Sequence, residues 1–195
     1  MINKSLSTFK QVRFNDEDSI LVDTSFLFGL TGSNGNSQIK NECVLLVTKA
    51  MESNVPIFYS NINQNEVTDV IIRNEFNHMG YKNQEDIKSL RKKDIKTYNR
   101  IHGSGMNSVK NFWHRIEENS AFVKDFIILP DNETFNITID VMDKFGLFGS
   151  NDALQIALAT QYGITHFAST DSDFGKVDIE DLTILVDDNT YEKLK

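Results

Sequence analysis

Five acidic residues stand where the sheet of an α/β protein would expose them along one edge. They follow short apolar runs or open helical segments: Asp23, Glu66, Asp152, Asp171 and Asp173. Carboxylates held within a few ångströms repel one another by several kcal/mol at an effective dielectric constant of about 20, so a cluster persists only when a cation or bound protons neutralise it. Their oxygen atoms suit Mg²⁺ and Mn²⁺. The candidate chemistry is therefore metal-assisted hydrolysis.

A hard divalent ion would make such a site useful for cutting a phosphodiester. An ion bound by few carboxylates keeps several waters, and one of them can be deprotonated and held in line with a phosphorus atom. The ion also changes the sign of the site, so an acidic cleft accepts an anionic substrate. Each acid has a plainer structural alternative, because strand-end and turn aspartates cap backbone and acids in a first helical turn complement the helix dipole.

Apolar periodicity predicts the elements that must position these acids. Strands are predicted at 19–25, 56–60, 126–130, 166–169 and 183–186, and helices at 39–50, 66–76, 83–101, 109–116, 137–145 and 152–162. Strands that alternate with helices are typical of a parallel sheet with crossover connections. Ligands of such sheets bind beyond the carboxyl ends of the strands, so acids far apart in sequence can converge there.

The charge of the chain is divided unevenly. The net charge is −8, yet residues 73–124 hold eleven Lys or Arg against six Asp or Glu, a local charge of +5, and the remainder carries −13. Basic residues step by four along the predicted helix 83–101, which Gly103 and Gly105 are expected to end: Lys88, Lys92, Lys96 and Arg100. This row is either a solvated helix face or a guide for nucleic-acid phosphates.

Composition and missing motifs exclude several classes. Cys43 is the single cysteine of the 195 residues, which excludes an intrachain disulfide and a multi-cysteine zinc site. The sequence has no HExxH, no Gly-x-Ser-x-Gly and no phosphate-binding loop, and Ser25 stands where a phosphoaspartyl phosphatase needs a second Asp. No apolar run is long enough for a membrane span and no secretory signal is visible, so we expect a cytoplasmic protein without membrane association.

Four stretches of the sequence resemble the PIN domain nucleases, a family that includes the VapC-like ribonucleases. They are residues 20–27, 60–67, 146–160 and 168–174. The last two are the specific ones, with Asp152 after Gly149-Ser150-Asn151 and with Asp171-Ser172-Asp173 after a strand. The resemblance spans residues 19–186 but skips the predicted helices between about 78 and 123.

The resemblance implies a three-layer α/β/α fold with a central parallel sheet of about five strands, as a single domain over 1–195 with a helical insertion at about 78–123. It implies hydrolysis of RNA phosphodiester bonds with Mg²⁺ or Mn²⁺. The catalytic, metal-binding acids carried over from the family are Asp23, Glu66, Asp152 and Asp171, with Asp173 as a further metal ligand. Hydroxyl groups that would orient these carboxylates belong to Thr24, Ser25 and Thr170.

Two classes of function follow from these observations. The first is a ribonuclease, either the toxin of a toxin–antitoxin pair or an RNA-processing enzyme, with an antitoxin or a second copy of the chain as candidate partner. The second is a catalytically silent PIN-like module that binds RNA or protein. The intact set of acids favours the enzyme, whereas the length exceeds that of compact toxins.

Overall fold

The computed structural model describes residues 6–119, 121–123, 130–146 and 149–195. The chain divides into two compact units. The first, the sheet unit, consists of Met1–Asn63 and Asn119–Lys195, and the second, the helical unit, consists of Gln64–Glu118. The helical unit overlaps the expected insertion at 78–123, and the single-domain arrangement remains a prediction.

The described part of the sheet unit contains a five-stranded parallel sheet. Its strands are β1 (Leu6–Thr8), β2 (Ile20–Val22), β3 (Ile57–Phe58), β4 (His166–Ala168) and β5 (Thr183–Val186). The strand order is β1-β5-β4-β2-β3, and every pair is parallel. This sheet confirms the predicted fold class. Beyond β3 the edge is extended by a parallel bridge from Ile57 to Phe122.

Helices occupy most of the remaining described residues. In chain order they are α1 (Thr24–Thr31), α2 (Ser37–Glu52), α3 (Asn61–His78), α4 (Gln84–Lys93), α5 (Ile95–Glu117), α6 (Asn132–Phe145), α7 (Ser150–Gln161) and α8 (Asp188–Leu194). A short 3₁₀ helix covers Ser172–Lys176. Of the predicted strand 126–130, residues 126–129 lie outside the described residues.

The core of the sheet unit lies on both faces of the sheet. On one face, Leu21 and Phe167 pack with Ile156 of α7 and Val141 of α6. Side chains alternate along a strand, and the neighbouring Ile20, on the opposite face, is also fully buried. Burial on both faces is typical of a parallel sheet between two layers of helices, and it explains why these strands are apolar throughout.

The first predicted strand is shorter than its apolar run, and helix α1 was missed. The strand ends at Val22, and Asp23 caps α1 by accepting a hydrogen bond from the backbone N–H of Ser25 at 3.1 Å. The capped helix therefore begins where the strand pattern was expected to continue to residue 25. It ends at Thr31 and is capped by Gly32, whose φ of 72° is a left-handed conformation that glycine adopts without strain.

The prediction of one continuous basic helix over 83–101 is wrong, because the helix is interrupted at Asp94. The Asp94 side chain accepts a hydrogen bond from the backbone N–H of Thr97 at 3.1 Å and so begins α5. The predicted end at Gly103 and Gly105 is also wrong, since α5 continues to Glu117. A Cβ atom on Gly105 would lie 3.2 Å from the Cα of Ile72 in α3, so this glycine permits close helix packing.

Two glycines of α5 provide a matched test of that packing. Gly105→Ala should lower the free energy of unfolding by about 1–2 kcal/mol, because the backbone of α3 must move to admit the methyl group. Gly103→Ala meets no atom within 4 Å and should raise it by about 0.5–1 kcal/mol through helix propensity. Urea unfolding measures both values, and equal stabilisation by the two variants would contradict the packing role of Gly105.

Candidate active site

Asp23 is a buried carboxylate at the carboxyl edge of the sheet. It directly follows β2, is 5% exposed, and its backbone N–H donates to the carbonyl of Ala168 at 2.9 Å. Its Oδ2 accepts hydrogen bonds from the backbone N–H of Ser25 at 3.1 Å, from Ser25 Oγ at 2.6 Å and from Ser169 Oγ at 3.0 Å. Its Oδ1 accepts one from Gln155 Nε2 at 3.2 Å. Four neutral donors therefore fix this carboxylate.

The loop after β4 supplies one of those donors and brings Asp171 toward Asp23 through the backbone. Ser169 Oγ accepts a hydrogen bond from the backbone N–H of Asp171 at 2.9 Å, and Ser25 Oγ accepts one from that of Thr170 at 3.0 Å. The side chain of Asp171 is exposed, and its Oδ1 accepts from the backbone N–H of Asp173 at 2.9 Å. Asp171 thus caps the 3₁₀ helix, and Asp173 is also exposed.

Two buried amides that sequence reasoning missed complete the surroundings of Asp23. Asn63 and Gln155 are both fully buried, and Asn63 Nδ2 donates to Gln155 Oε1 at 3.0 Å and to Thr24 Oγ1 at 3.1 Å. Thr24 therefore contacts the amide of Asn63, while Ser25 contacts the carboxylate itself. The available signal was a glutamine inside the otherwise apolar stretch Ala153–Ala159 of α7.

Asp152 lies in the first turn of α7, three residues before Gln155, and is partly exposed. Residues three apart in a helix share a face, with Cβ atoms about 5–6 Å apart. The Asp152 carboxylate lies over Gly149, where an added Cβ atom would come within 2.3 Å of Asp152 Oδ2. Gly149 thus leaves room for this carboxylate, and the hydrogen bond from Gln155 ties the same helix to Asp23.

The other predicted residues belong to the helical unit. Glu66 is partly exposed on the section of α3 that follows Asn63. The predicted basic row is exposed and is divided between two helices, with Lys88 and Lys92 on α4 and with Lys96 and Arg100 on α5.

The donor chemistry of the sheet unit fits a hard divalent ion. Within the described residues, no three or more His, Cys, Asp or Glu side chains are grouped so that they could hold one metal ion. From the part of the chain that the structure describes, Asp23 Oδ1 accepts one hydrogen bond, from Gln155, and a carboxylate oxygen has two lone-pair directions. The second direction could hold a cation, and oxygen donors without soft ligands suit Mg²⁺ or Mn²⁺.

The sheet unit also contains a buried thiol and a buried imidazole. Cys43 is buried in α2, and burial raises the pKa of its thiol, which keeps it protonated and unreactive. His166 opens β4, at the opposite end of that strand from Ser169, and its Nδ1 lies 2.8 Å from Thr165 Oγ1.

Across the described ranges, no helix combines the length and the apolar character needed to span a bilayer.

Comparison with known proteins identifies a family and structural relatives. The family model of the PIN domain matches residues 20–180. No curated protein matches the chain. Among solved structures, the chain is similar to VapBC2 from Rickettsia felis bound to a DNA fragment from their promoter, with 14% identity over 85% of this chain and 96% of that chain and a TM-score of 0.48.

Removing one hydroxyl should show how firmly the Asp23 carboxylate is held. Ser169→Ala removes a donor to Asp23 Oδ2 and the acceptor of the Asp171 N–H, and should lower the free energy of unfolding by about 1–3 kcal/mol. Ser172→Ala, at an exposed position of the 3₁₀ helix three residues later, should change it by less than about 0.5 kcal/mol. Equal values from urea unfolding would show that the Ser169 hydroxyl adds nothing to the network.

Proposed function

This chain belongs to the PIN domain family, whose members are generally nucleases, and we propose that it is a ribonuclease that depends on Mg²⁺ or Mn²⁺. The observation that carries the proposal is the buried Asp23 carboxylate, fixed by four neutral donors at the carboxyl edge of a parallel sheet. Ligands of open α/β sheets bind at this edge. Cleavage of labelled single-stranded RNA with and without Mn²⁺ tests the proposal directly.

The proposed ion ligands are the five acids carried over from the family resemblance: Asp23, Glu66, Asp152, Asp171 and Asp173. When bound, the ion neutralises phosphate charge and lowers the pKa of water. The chain itself supplies the orientation of the acids. Ser25 and Ser169 hold Oδ2 of Asp23, and the backbone N–H of Thr170 holds the Ser25 hydroxyl in turn.

The burial of Asp23 supports an enzyme rather than a silent module. A carboxylate removed from water costs free energy that neutral hydrogen bonds only partly offset. A chain that needed only the fold could place an asparagine or serine at this helix cap, since both are good capping residues. The presence of an acidic side chain at 5% exposure therefore supports a requirement that asparagine or serine would not meet, such as the binding of a cation.

The exposed basic row of α4 and α5 is our proposed RNA contact. None of its four side chains forms an ion pair with a carboxylate of the described residues. Exposed cations without a paired carboxylate can neutralise backbone phosphates and release counterions, and this contact needs no particular base sequence. The break at Asp94 divides the row into two short segments, so each helix would contact separate phosphates.

The proposed cellular role is the toxin of a toxin–antitoxin pair or an RNA-processing nuclease. The proposed protein partner is an antitoxin or a second copy of this chain. Val44 and Met51, two turns apart on α2, are 43% and 47% exposed, and apolar side chains on one helix face would suit a protein partner.

Replacing one acid should abolish cleavage without unfolding the protein. Asp152→Asn removes a proposed metal ligand and should lower the cleavage rate by more than about 100-fold. Because the Asp152 side chain is partly exposed, the substitution should change the free energy of unfolding by less than about 1 kcal/mol. Glu133→Gln is the matched control, because Glu133 is also an acid in a first helical turn, and it should leave cleavage unchanged.

The chelator response and the product ends decide whether this chemistry is correct. EDTA should stop the reaction, and the products should carry 5′-phosphate and 3′-hydroxyl ends because water rather than the neighbouring 2′-hydroxyl attacks phosphorus. Undiminished cleavage in EDTA, or 2′,3′-cyclic phosphate ends, would contradict the proposed mechanism. Full activity of the Asp152→Asn variant would show that Asp152 is not a metal ligand.

Neutralising the basic row should flatten the salt dependence of RNA binding. Three phosphate contacts contribute about 2 to the logarithmic salt slope for single strands, so the slope should fall by roughly that amount when three lysines are lost. Filter binding at several salt concentrations, on an Asp152→Asn background, compares two triple changes to Gln. The test set is Lys88, Lys92 and Lys96, and the control set, exposed on the sheet unit, is Lys40, Lys144 and Lys193. Equal slopes would show that the row is only solvated surface.

A further inference from the structure

Asn63 and Gln155 form a buried amide pair whose direction is fixed. The backbone N–H of Ser60 donates to Asn63 Oδ1 at 2.7 Å, and a backbone N–H can only donate. The oxygen of Asn63 must therefore face Ser60, and its NH₂ group must face Gln155 Oε1 at 3.0 Å. This leaves the NH₂ group of Gln155 directed at Asp23 Oδ1, at 3.2 Å. One backbone amide thus determines which end of each side-chain amide faces its neighbour.

The two oxygens of Asp23 are held by different parts of the chain. Among the described residues, Ser25 and Ser169 donate to Oδ2, and Gln155 is the one donor to Oδ1. A carboxylate can rotate about its Cβ–Cγ bond, and donors on one oxygen do not define the plane of the group. The hydrogen bond from Gln155 defines that plane and so determines where the remaining lone pair of Oδ1 points.

We propose that Asn63 and Gln155 are positioning residues that fix the Asp23 carboxylate for cation binding. The inference rests on the proposed metal-dependent function. Gln155 is suited to this role because it is neutral: it donates a hydrogen bond to Asp23 without pairing its charge, which remains available to the ion. Asn63 acts through Gln155, by presenting a donor that keeps the glutamine oxygen turned away from Asp23.

Mn²⁺ binding, measured by titration calorimetry on the full chain without RNA, tests the proposal. Gln155→Met keeps an unbranched side chain but removes the donor, and Asn63→Asp reverses the direction of the Gln155 amide by offering it an acceptor. Both should weaken Mn²⁺ binding by about 10- to 100-fold, the range for residues that orient metal ligands. The matched control Asn107→Asp makes the same charge change at an exposed position of α5 and should stay within about twofold of the wild type.

A measurement on the wild-type protein does not depend on the folding of either variant. Addition of Mg²⁺ should shift the NMR signals of the Gln155 side-chain NH₂ group together with the backbone amide signal of Ser25. If the Ser25 signal moves while the Gln155 signals do not, or if both folded variants bind Mn²⁺ as the wild type does, the positioning role is overturned. A wild-type protein that binds no Mn²⁺ and cleaves no RNA would instead overturn the proposed function.

Discussion

The position of one buried charge constrains the surrounding sheet unit. Asp23 is 5% exposed, and its carboxylate receives hydrogen bonds from the first turn of α1, the loop after β4 and the buried face of α7. A buried carboxylate that lost these donors would carry the full cost of its desolvation. The three segments must therefore keep their relative positions, and the packing of α7 on the sheet serves the polar network as well as the apolar core.

The strand order explains why these segments meet. β4 lies beside β2 although about 140 residues separate them in the chain, as their register from Ile20 with His166 to Val22 with Ala168 shows. Asp23 and Ser169 each follow directly after these neighbouring strands, so their side chains emerge at the same edge. The polar contacts of the site are thus a consequence of parallel pairing between two apolar strands.

The parts of the site that the sequence could predict are those with a periodic or positional signal. Asp23 stands out because it ends an apolar run, and the alternation of strands with helices predicts the parallel sheet that the structure confirms. Gln155 stands out only as a polar residue in the apolar stretch of α7, and Asn63 has no comparable signal, because the role of a buried amide is recognisable only once its hydrogen-bonding partners are known. Helix α1 was missed because Asp23 was interpreted as a strand end, whereas its side chain also caps the following helix.

The helical unit shows how local capping can override a charge pattern. The spacing of basic residues by four fits one continuous helix, but Asp94 accepts the Thr97 N–H and divides the segment. Glycines 103 and 105 gave a misleading signal for a helix end because glycine also permits close packing, as the approach of Gly105 to Ile72 shows. Sequence patterns do not distinguish these two uses of glycine, since the difference lies in a residue more than thirty positions away.

The order of Asp152 and Gln155 on α7 follows from the cost of burying charge. Both lie on one helix face, with the acid in the first turn and the amide one turn deeper. The first turn is partly exposed and carries the positive end of the helix dipole, which favours a carboxylate. The deeper position is fully buried, where a second charge beside Asp23 would be costly and a neutral donor is favourable. A single helix can therefore present a charged group to a ligand and a neutral group to the acid behind it, because the exposed fraction of its side chains falls along that face.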